Sequence, residues 1–241
     1  MKRFLDVFLA ILTLIVFSPL ILIIIIILKC TGEHSVFYSQ DRAGVGGKPF
    51  RLVKFNTMLK NSQFLGSGHI TLQHDPRVLP FGGFLRKTKL DEIPQLFNII
   101  KGDMSIIGPR PVTMQIYTYY TDEEKKNISL VRPGLSGVGS IFFRDEQTLM
   151  EESGLQYEDY YKIYIAPSKG EMESWYALNH NLWLDFKLVL LTSIVLFYPP
   201  FDSLRFLPEI PQEIKDSALE LKRIAVNDVA AKNKKSEESQ L

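Results

Sequence analysis

The feature that most constrains this chain is an apolar run from Val7 to Leu28. Of its 22 residues only Thr13, Ser18 and Pro19 are not strongly apolar, Ala10 being small but apolar. As a straight helix the run would be about 33 Å long, enough to cross a bilayer. Lys2 and Arg3 precede it, a charge bias that puts the N-terminus on the cytoplasmic side. No small-residue cleavage site follows a short apolar region, so the run reads as an anchor and not as a removed signal peptide. Ser18-Pro19 lies at the midpoint. Proline there removes a backbone hydrogen bond and kinks the helix, and serine can re-satisfy the freed groups. Two geometries follow, a kinked span or a re-entrant hairpin that returns to the side it entered. Composition alone favours the span.

The 241 residues suffice for one large domain or two small ones with a sizeable core. A formal charge of +1 offers no global basic field for nucleic acid. The single cysteine, Cys30, excludes an internal disulfide framework. His34, His69, His74 and His180 show no metal-binding spacing. There are no internal repeats.

After the anchor, residues 37–55 read as two short strands around a glycine-rich turn. The turn fails the test for a phosphate loop, because Arg42 stands where the first glycine is required and Pro49 where Ser or Thr is required. Lys54, on the second strand, could face a phosphate or simply solvent. Residues 61–69 read as a loop. Tyr117 to Ser129 is polar and helical, Val131 to Gly139 turn-rich and basic, and residues 154–180 look like a helix pair. A second apolar run, Leu188 to Tyr198, is about 11 residues, too short to span and suited to an interface or to the core. Trp183 ahead of it and its own Phe197 and Tyr198 suit a membrane boundary. A weak amphipathic helix is expected from Gln212, and disorder from Asn233 to Leu241.

Between these parts lies Arg86-Lys87-Thr88-Lys89-Leu90-Asp91-Glu92-Ile93-Pro94-Gln95-Leu96-Phe97-Asn98-Ile99-Ile100-Lys101-Gly102-Asp103. Proline is tolerated in a helix's first turn and glycine just past its last. Pro94 and Gly102 therefore predict a helix of about three turns that begins within a residue or two of Asp91. Both carboxylates would sit at the positive end of its dipole, which also attracts phosphate. Successive helical residues diverge by about 100°, so Asp91 and Glu92 cannot act from the same direction, yet both can reach one bound group. One as nucleophile and the other as metal ligand is a sensible division. A well-capped, solvated helix start is the alternative, and the pair in isolation favours it. Downstream, Pro109 and Pro111 fix the backbone around Arg110, whose guanidinium suits bidentate phosphate contacts or a loop salt bridge equally well.

Together these blocks resemble the bacterial sugar transferase family, the monotopic polyprenyl-phosphate phosphoglycosyl transferases. The resemblance is carried by residues 1–60, by Leu90-Asp91-Glu92-Ile93-Pro94-Gln95-Leu96-Phe97-Asn98 with Lys101-Gly102-Asp103-Met104-Ser105 and Gly108-Pro109-Arg110-Pro111, by Arg132-Pro133-Gly134-Leu135-Ser136-Gly137, and by Leu182 to Lys187, in order over roughly residues 1–195. It implies an α+β fold, mostly helical. Residues 1–30 would form a re-entrant membrane helix broken at Ser18-Pro19, residues 31–205 a compact catalytic domain with a small β-hairpin and interfacial helices, and residues 206–241 an extension with a disordered end. It also reverses the preference for a span, since in this family both helix ends stay cytoplasmic, at the bacterial inner membrane.

The resemblance further implies transfer of sugar-1-phosphate from a nucleotide diphosphate sugar, commonly a UDP-sugar, to a polyprenyl phosphate such as undecaprenyl phosphate, releasing the nucleoside monophosphate. Asp91 would attack the β-phosphorus to form a covalent phosphosugar intermediate, and Glu92 would help hold Mg²⁺. Lys54, Arg86, Arg110 and Arg144 match basic positions around the phosphates, and Glu173 an acidic supporting position. A homodimer through the apolar C-terminal region and recruitment of downstream glycosyltransferases are left open. Two departures from the family pattern occur: Asn56 replaces an arginine, and Val138 to Phe143 lacks the common Trp-Ala-Gln. Competing readings are a hydrolase that uses the same dyad and a non-catalytic membrane scaffold of a glycan assembly complex. Retention of Asp91, Glu92 and the flanking cations weighs against the scaffold, which needs none of them.

Overall fold

The computed structural model describes residues 1–62, 75–144, 146, 150, 157–198, 201–221, 223 and 224. Residues 63–69 of the expected loop, with His69 and His74, residues 154–156 of the expected helix pair, and the end Asn233 to Leu241 lie outside the described residues.

The apolar run forms α1 (Lys2–Cys30), whose parts Lys2–Val16 and Ser18–Cys30 meet at a bend of 65°. The chemistry of the bend is local. Pro19 cannot donate to the Ile15 carbonyl four residues back, and the Ser18 hydroxyl donates to that carbonyl instead at 2.8 Å. Among the described residues no single helix is long and apolar enough to cross a membrane, and the two arms of α1 pass that test only as a bent pair. Both arms return to one body. Ala10 packs with Leu52, Leu96, Ile99 and Met104, while Ile24 and Leu28 pack with Val36, Phe55 and Leu85. Phe8, Ile15, Val16, Leu22 and Ile23 face outward, exposed.

The first turn of α1 is stitched to the body by charge. Lys2 Nζ lies 2.5 Å from Asp185 Oδ2, 2.9 Å from the Ile107 carbonyl and 3.2 Å from the Tyr176 hydroxyl. Arg3 donates to the carbonyls of Ile99 and Ile100, and buried Asp6 accepts from Ser105 Oγ and the Ile106 N–H.

β1 (Phe37–Ala43) and β2 (Pro49–Phe55) form the expected antiparallel hairpin, with Tyr38 opposite Lys54 and Arg42 opposite Phe50. Its 3₁₀ turn, Val45–Gly47, places Gly46 and Gly47 at φ of 68° and 69°, where glycine carries no Cβ penalty. After α2 (Pro80–Lys87) comes a departure from expectation. Asp91 and Glu92 sit on a separate 3₁₀ turn, Leu90–Glu92, and α3 spans only Gln95–Lys101. Pro94 has no N–H for a carbonyl four residues back, so the bonds here run three residues, from Ile93 N–H to Leu90 and from Leu96 N–H to Ile93. Gly102, at φ 107°, ends α3 as predicted.

A second two-stranded sheet was not anticipated. β3 (Ser105–Ile107) pairs in parallel with β4 (Gly134–Ser136) inside the segment read as turns; three-residue strands are too short to show a period. The polar stretch from Tyr117 begins on the last residue of a short helix, α4 (Met114–Tyr117), and holds α5 (Asp122–Ile128), opened by a Thr121–Glu124 capping box. α6 (Val138–Phe142) follows β4. In place of a helix pair, α7 (Tyr157–Tyr160), a π turn (Tyr161–Ile165) and α8 (Ala166–Asn179) run on without interruption. Pro167 lacks a donor, and just before it the Ala166 N–H bonds the Tyr161 carbonyl, five residues back. α9 (Leu182–Phe197) is capped by Asn181 Oδ1, which accepts from Leu184 N–H at 3.0 Å. Residues 212–221 are helical, as expected. Leu207, Ile210 and Ala218 are buried in the core that also holds Tyr176, Leu184 and Leu188, so packing runs across the boundary at residue 205.

Candidate active site

Asn98 brings the first two parts of the site together. Buried on α3, it accepts from the Val53 N–H at 3.0 Å and donates to the Arg51 carbonyl at 2.7 Å. These bonds dock β2 on α3 and seat Lys54 beside the 3₁₀ turn. Lys54 Nζ then lies 2.8 Å from Glu92 Oε1 and 3.8 Å from Asp91 Oδ2.

The third part is the loop after β3. It rests on the backbone of Arg132-Pro133-Gly134-Leu135-Ser136-Gly137: Gly108 N–H donates to the Ser136 carbonyl and Gly134 N–H to the Pro109 carbonyl. A Cβ on Gly108 would lie 2.3 Å from the Arg132 carbonyl oxygen, and one on Gly137 2.1 Å from the Gly108 carbonyl oxygen. Bare backbone is therefore required on both sides. From this bed Arg110 Nη2 reaches Glu92 Oε1 at 3.3 Å, while its backbone N–H donates to Glu173 Oε1 at 3.2 Å. Glu173 comes from α8 and is 1% exposed; the missing side chain of Gly139 makes room, since a Cβ there would stand 2.5 Å from Glu173 Oε1.

The two members of the dyad differ. For Glu92, burial pushes the carboxyl up, but Lys54 and Arg110 outweigh it and hold the group well below the ordinary carboxylate range. Asp91 is 5% exposed, and its only ion pair among the described residues is the 3.8 Å approach of Lys54. Burial raises its carboxyl above the usual value, against the pull of Lys54, Arg86 and Lys89. Burial likewise lifts Glu173 to about 7, against the N–H groups of Arg110 and Gly139 and the charge of Lys169. Its Oε2 is buried without a partner among the described residues.

Of the residues singled out in the sequence, Asp91, Glu92, Lys54, Arg110 and Glu173 thus converge. Arg86 reaches Asp91 by its charge, its guanidinium lying 3.7 Å from Met58 Sδ. Arg144 is exposed and donates to the Phe201 carbonyl at 3.5 Å, and no described contact joins it to the dyad. Ser18 and Pro19 mark the bend in α1. Asn56 is buried, and its N–H continues the hairpin by donating to the Val36 carbonyl.

Some neighbours went unread. Buried Lys169 pairs with Glu146 at 2.6 Å and lies over the Tyr161 ring; its spacing of four from Glu173 on a helix was the available signal. Arg42, dismissed with the failed phosphate loop, lies close enough to Arg110 to feel its charge.

Among the described residues no three His, Cys, Asp or Glu side chains gather into a metal cage. Magnesium does not need one, because it is commonly held by one or two carboxylates with substrate phosphates and water. The adjacent oxygen donors Asp91 and Glu92, set among cations that suit phosphate, fit that mode.

The sequence model of the family described as "Bacterial sugar transferase" matches residues 1–199. An uncharacterized sugar transferase of Haemophilus influenzae is 33% identical over 81% of this chain and 40% of its own length. The undecaprenyl-phosphate galactose phosphotransferase of Salmonella typhimurium is 33% identical over 81% of this chain and 40% of its own length. The exopolysaccharide production protein ExoY of Sinorhizobium fredii is 41% identical over 60% of this chain and 70% of its own length. The chain therefore spans well under half the length of the first two.

Proposed function

This chain belongs to the bacterial sugar transferase family, and from that premise we propose that it transfers sugar-1-phosphate from a nucleotide diphosphate sugar, a UDP-sugar in the first instance, to polyprenyl phosphate. The observation that carries this reading is the asymmetry of the dyad. Glu92 is tied by two cations, whereas buried Asp91 keeps a single loose partner at 3.8 Å. A desolvated carboxylate that is not locked in a salt bridge is suited to nucleophilic attack.

An Asp91 oxygen forms a bond to the β-phosphorus of the donor. The bond from that phosphorus to the bridging oxygen breaks, and the nucleoside monophosphate leaves with the electron pair. A phosphate oxygen of the polyprenyl phosphate then attacks the same phosphorus, releasing the Asp91 carboxylate and the lipid diphosphosugar. Lys54, Arg86 and Arg110 hold phosphate oxygens and offset charge in both steps. Glu92 fixes Lys54 and Arg110 toward the reacting group. Mg²⁺, held by Glu92 with Asp91 at hand, would supply further neutralisation of the diphosphate.

The lipid acceptor calls for a membrane surface. We read α1 as re-entrant in the cytoplasmic leaflet of the bacterial inner membrane, with the catalytic body in the cytoplasm. The 65° bend, the packing of both arms on one body and the exposed apolar residues support this reading. Downstream glycosyltransferases would extend the product.

The test is nucleoside monophosphate release from a panel of UDP-sugars with undecaprenyl phosphate and Mg²⁺. Wild type is expected to release nucleotide and form a lipid-linked sugar, and Asp91→Asn to do neither. Release that survives in Asp91→Asn would overturn the covalent mechanism. Release without lipid product would point to a hydrolase, and silence across the panel to a scaffold.

A further inference from the structure

Arg42 lies on β1 at the edge that meets the Arg110 loop. Its backbone bridges to Thr113, Ala43 N–H donates to the Val112 carbonyl at 3.0 Å, and Arg42 Nη1 donates to the Pro111 carbonyl at 3.3 Å. Nη2 donates to Gln40 Oε1 at 2.7 Å. These contacts use two of the guanidinium's five N–H groups. Nε is buried and has no partner among the described residues, and no carboxylate there approaches Arg42 within ion-pair distance. Buried charged donors are ordinarily paired.

Its neighbour is another cation. Burial, and then Arg110, lower the Arg42 guanidinium to about 10, with Tyr38, Tyr161 and Glu92 pulling the other way. With Glu92 already shared between Lys54 and Arg110, the added guanidinium of Arg42 has no carboxylate of its own among the described residues, and an anion would complete the group.

Lys54 and Lys89 act on both carboxylates of the dyad, whereas Arg86 acts on Asp91 and Arg110 on Glu92. Arg110 engages Glu92 at 3.3 Å, and Arg42, bonded to the Pro111 carbonyl, is within reach of the charge of both. Arg110 and Arg42 thus bear on the Glu92 side of the dyad, and a diphosphate has a second phosphate to place there.

We propose that Arg42 and Arg110 form a second phosphate subsite, which holds the α-phosphate of the nucleotide donor and then of the departing nucleoside monophosphate while Asp91 acts at the β-phosphorus. This rests on the transferase reading above. Arg42 takes no part in bond making; it binds the leaving group and keeps the nucleotide in line. The same charge pair could instead receive the phosphate of the polyprenyl acceptor, and the experiment separates the two sources.

Full-length wild type, Arg42→Gln and Arg42→Lys in detergent micelles would be titrated calorimetrically with uridine monophosphate and assayed with a turned-over UDP-sugar and undecaprenyl phosphate. Losing one charge-assisted contact is expected to weaken uridine monophosphate binding about 10- to 100-fold in Arg42→Gln. KM for the UDP-sugar should rise by a similar factor, KM for undecaprenyl phosphate should change less than about twofold, and Arg42→Lys should recover part of the affinity. Unchanged nucleotide affinity in Arg42→Gln overturns the subsite, as does a rise confined to the KM of the lipid phosphate, which would assign the pair to the acceptor. Equal loss of all parameters with a lowered melting temperature, not recovered by Arg42→Lys, would reduce Arg42 to a loop tie. A wild type that turns over while Arg42→Gln matches it fails this inference alone. A wild type that neither binds nucleotide nor releases it fails the transferase reading as well.

Discussion

Two clusters of charge join distant parts of this chain, and they are built to opposite rules. At the start of α1, Lys2 has three partners, Arg3 caps two carbonyls, Asp6 accepts twice, and Asp185 takes both Lys2 and the Tyr176 hydroxyl. Around the dyad, Asp91 has one loose partner, Arg86 rests near a thioether, and both Glu173 Oε2 and Arg42 Nε are left over among the described residues. Both draw on lysine, arginine and aspartate side chains. A cluster whose work is to join elements can close on itself, because each group's desolvation is offset by a partner inside the fold. A cluster that waits for a ligand stays open, and its unmatched atoms outline what is missing.

If that contrast is right, substitutions at the open cluster should damage turnover far more than folding. Asp91→Asn is expected to lower nucleotide release by at least about 10³-fold, with a melting temperature near that of wild type. A smaller loss of activity would break the contrast at its strongest point. Glu92→Gln should cost on the order of 10²-fold in turnover, because Lys54 and Arg110 lose the carboxylate that aims them; steady-state release measures it.

Acidity sharpens the same comparison. The raised Glu173 carboxyl, about 7 against the ordinary 4.5, keeps a proton in the folded state that the unfolded chain has already lost. Stability therefore falls as pH rises between about 4.5 and 7, by on the order of 3 kcal/mol in full. Glu92 acts in the opposite sense: its depressed carboxyl contributes stability that is present above about 4.5 and lost as pH falls toward its folded value. Denaturant titrations of Glu173→Gln should flatten the neutral slope and keep the acid limb; an unaltered neutral slope would refute the assignment. The smallest effect belongs to the closed cluster. Lys2→Met should lower stability by about 1–2 kcal/mol, a partly exposed pair being worth less than a buried one, while turnover per folded molecule stays within about threefold.

What could be read from the residues was local. The hairpin turn, the Gly102 stop and the repair of Pro19 by Ser18 each depend on neighbours within five positions, and each appears where expected. The dyad was found, but its helix was misjudged, because Pro94's missing donor converts the first turn to 3₁₀ form. Contacts between distant residues left no such trace. Nothing in the chain's order links Arg110 to Glu173, 63 positions on, or reveals that Arg42 would come to lie against the loop that carries Arg110.

The tie between Lys2 and Asp185 spans 183 positions, and a ribosome adding 5–20 residues per second needs roughly 10 to 40 seconds to make that interval. For most of it the apolar arms of α1 have already been synthesised while Asp185, which pairs with their first turn, does not yet exist. Whatever α1 packs against in those seconds, it packs without Asp185. The chemistry of the bend, by contrast, is complete within the helix, in the proline that withholds a donor and the serine that supplies one to the Ile15 carbonyl.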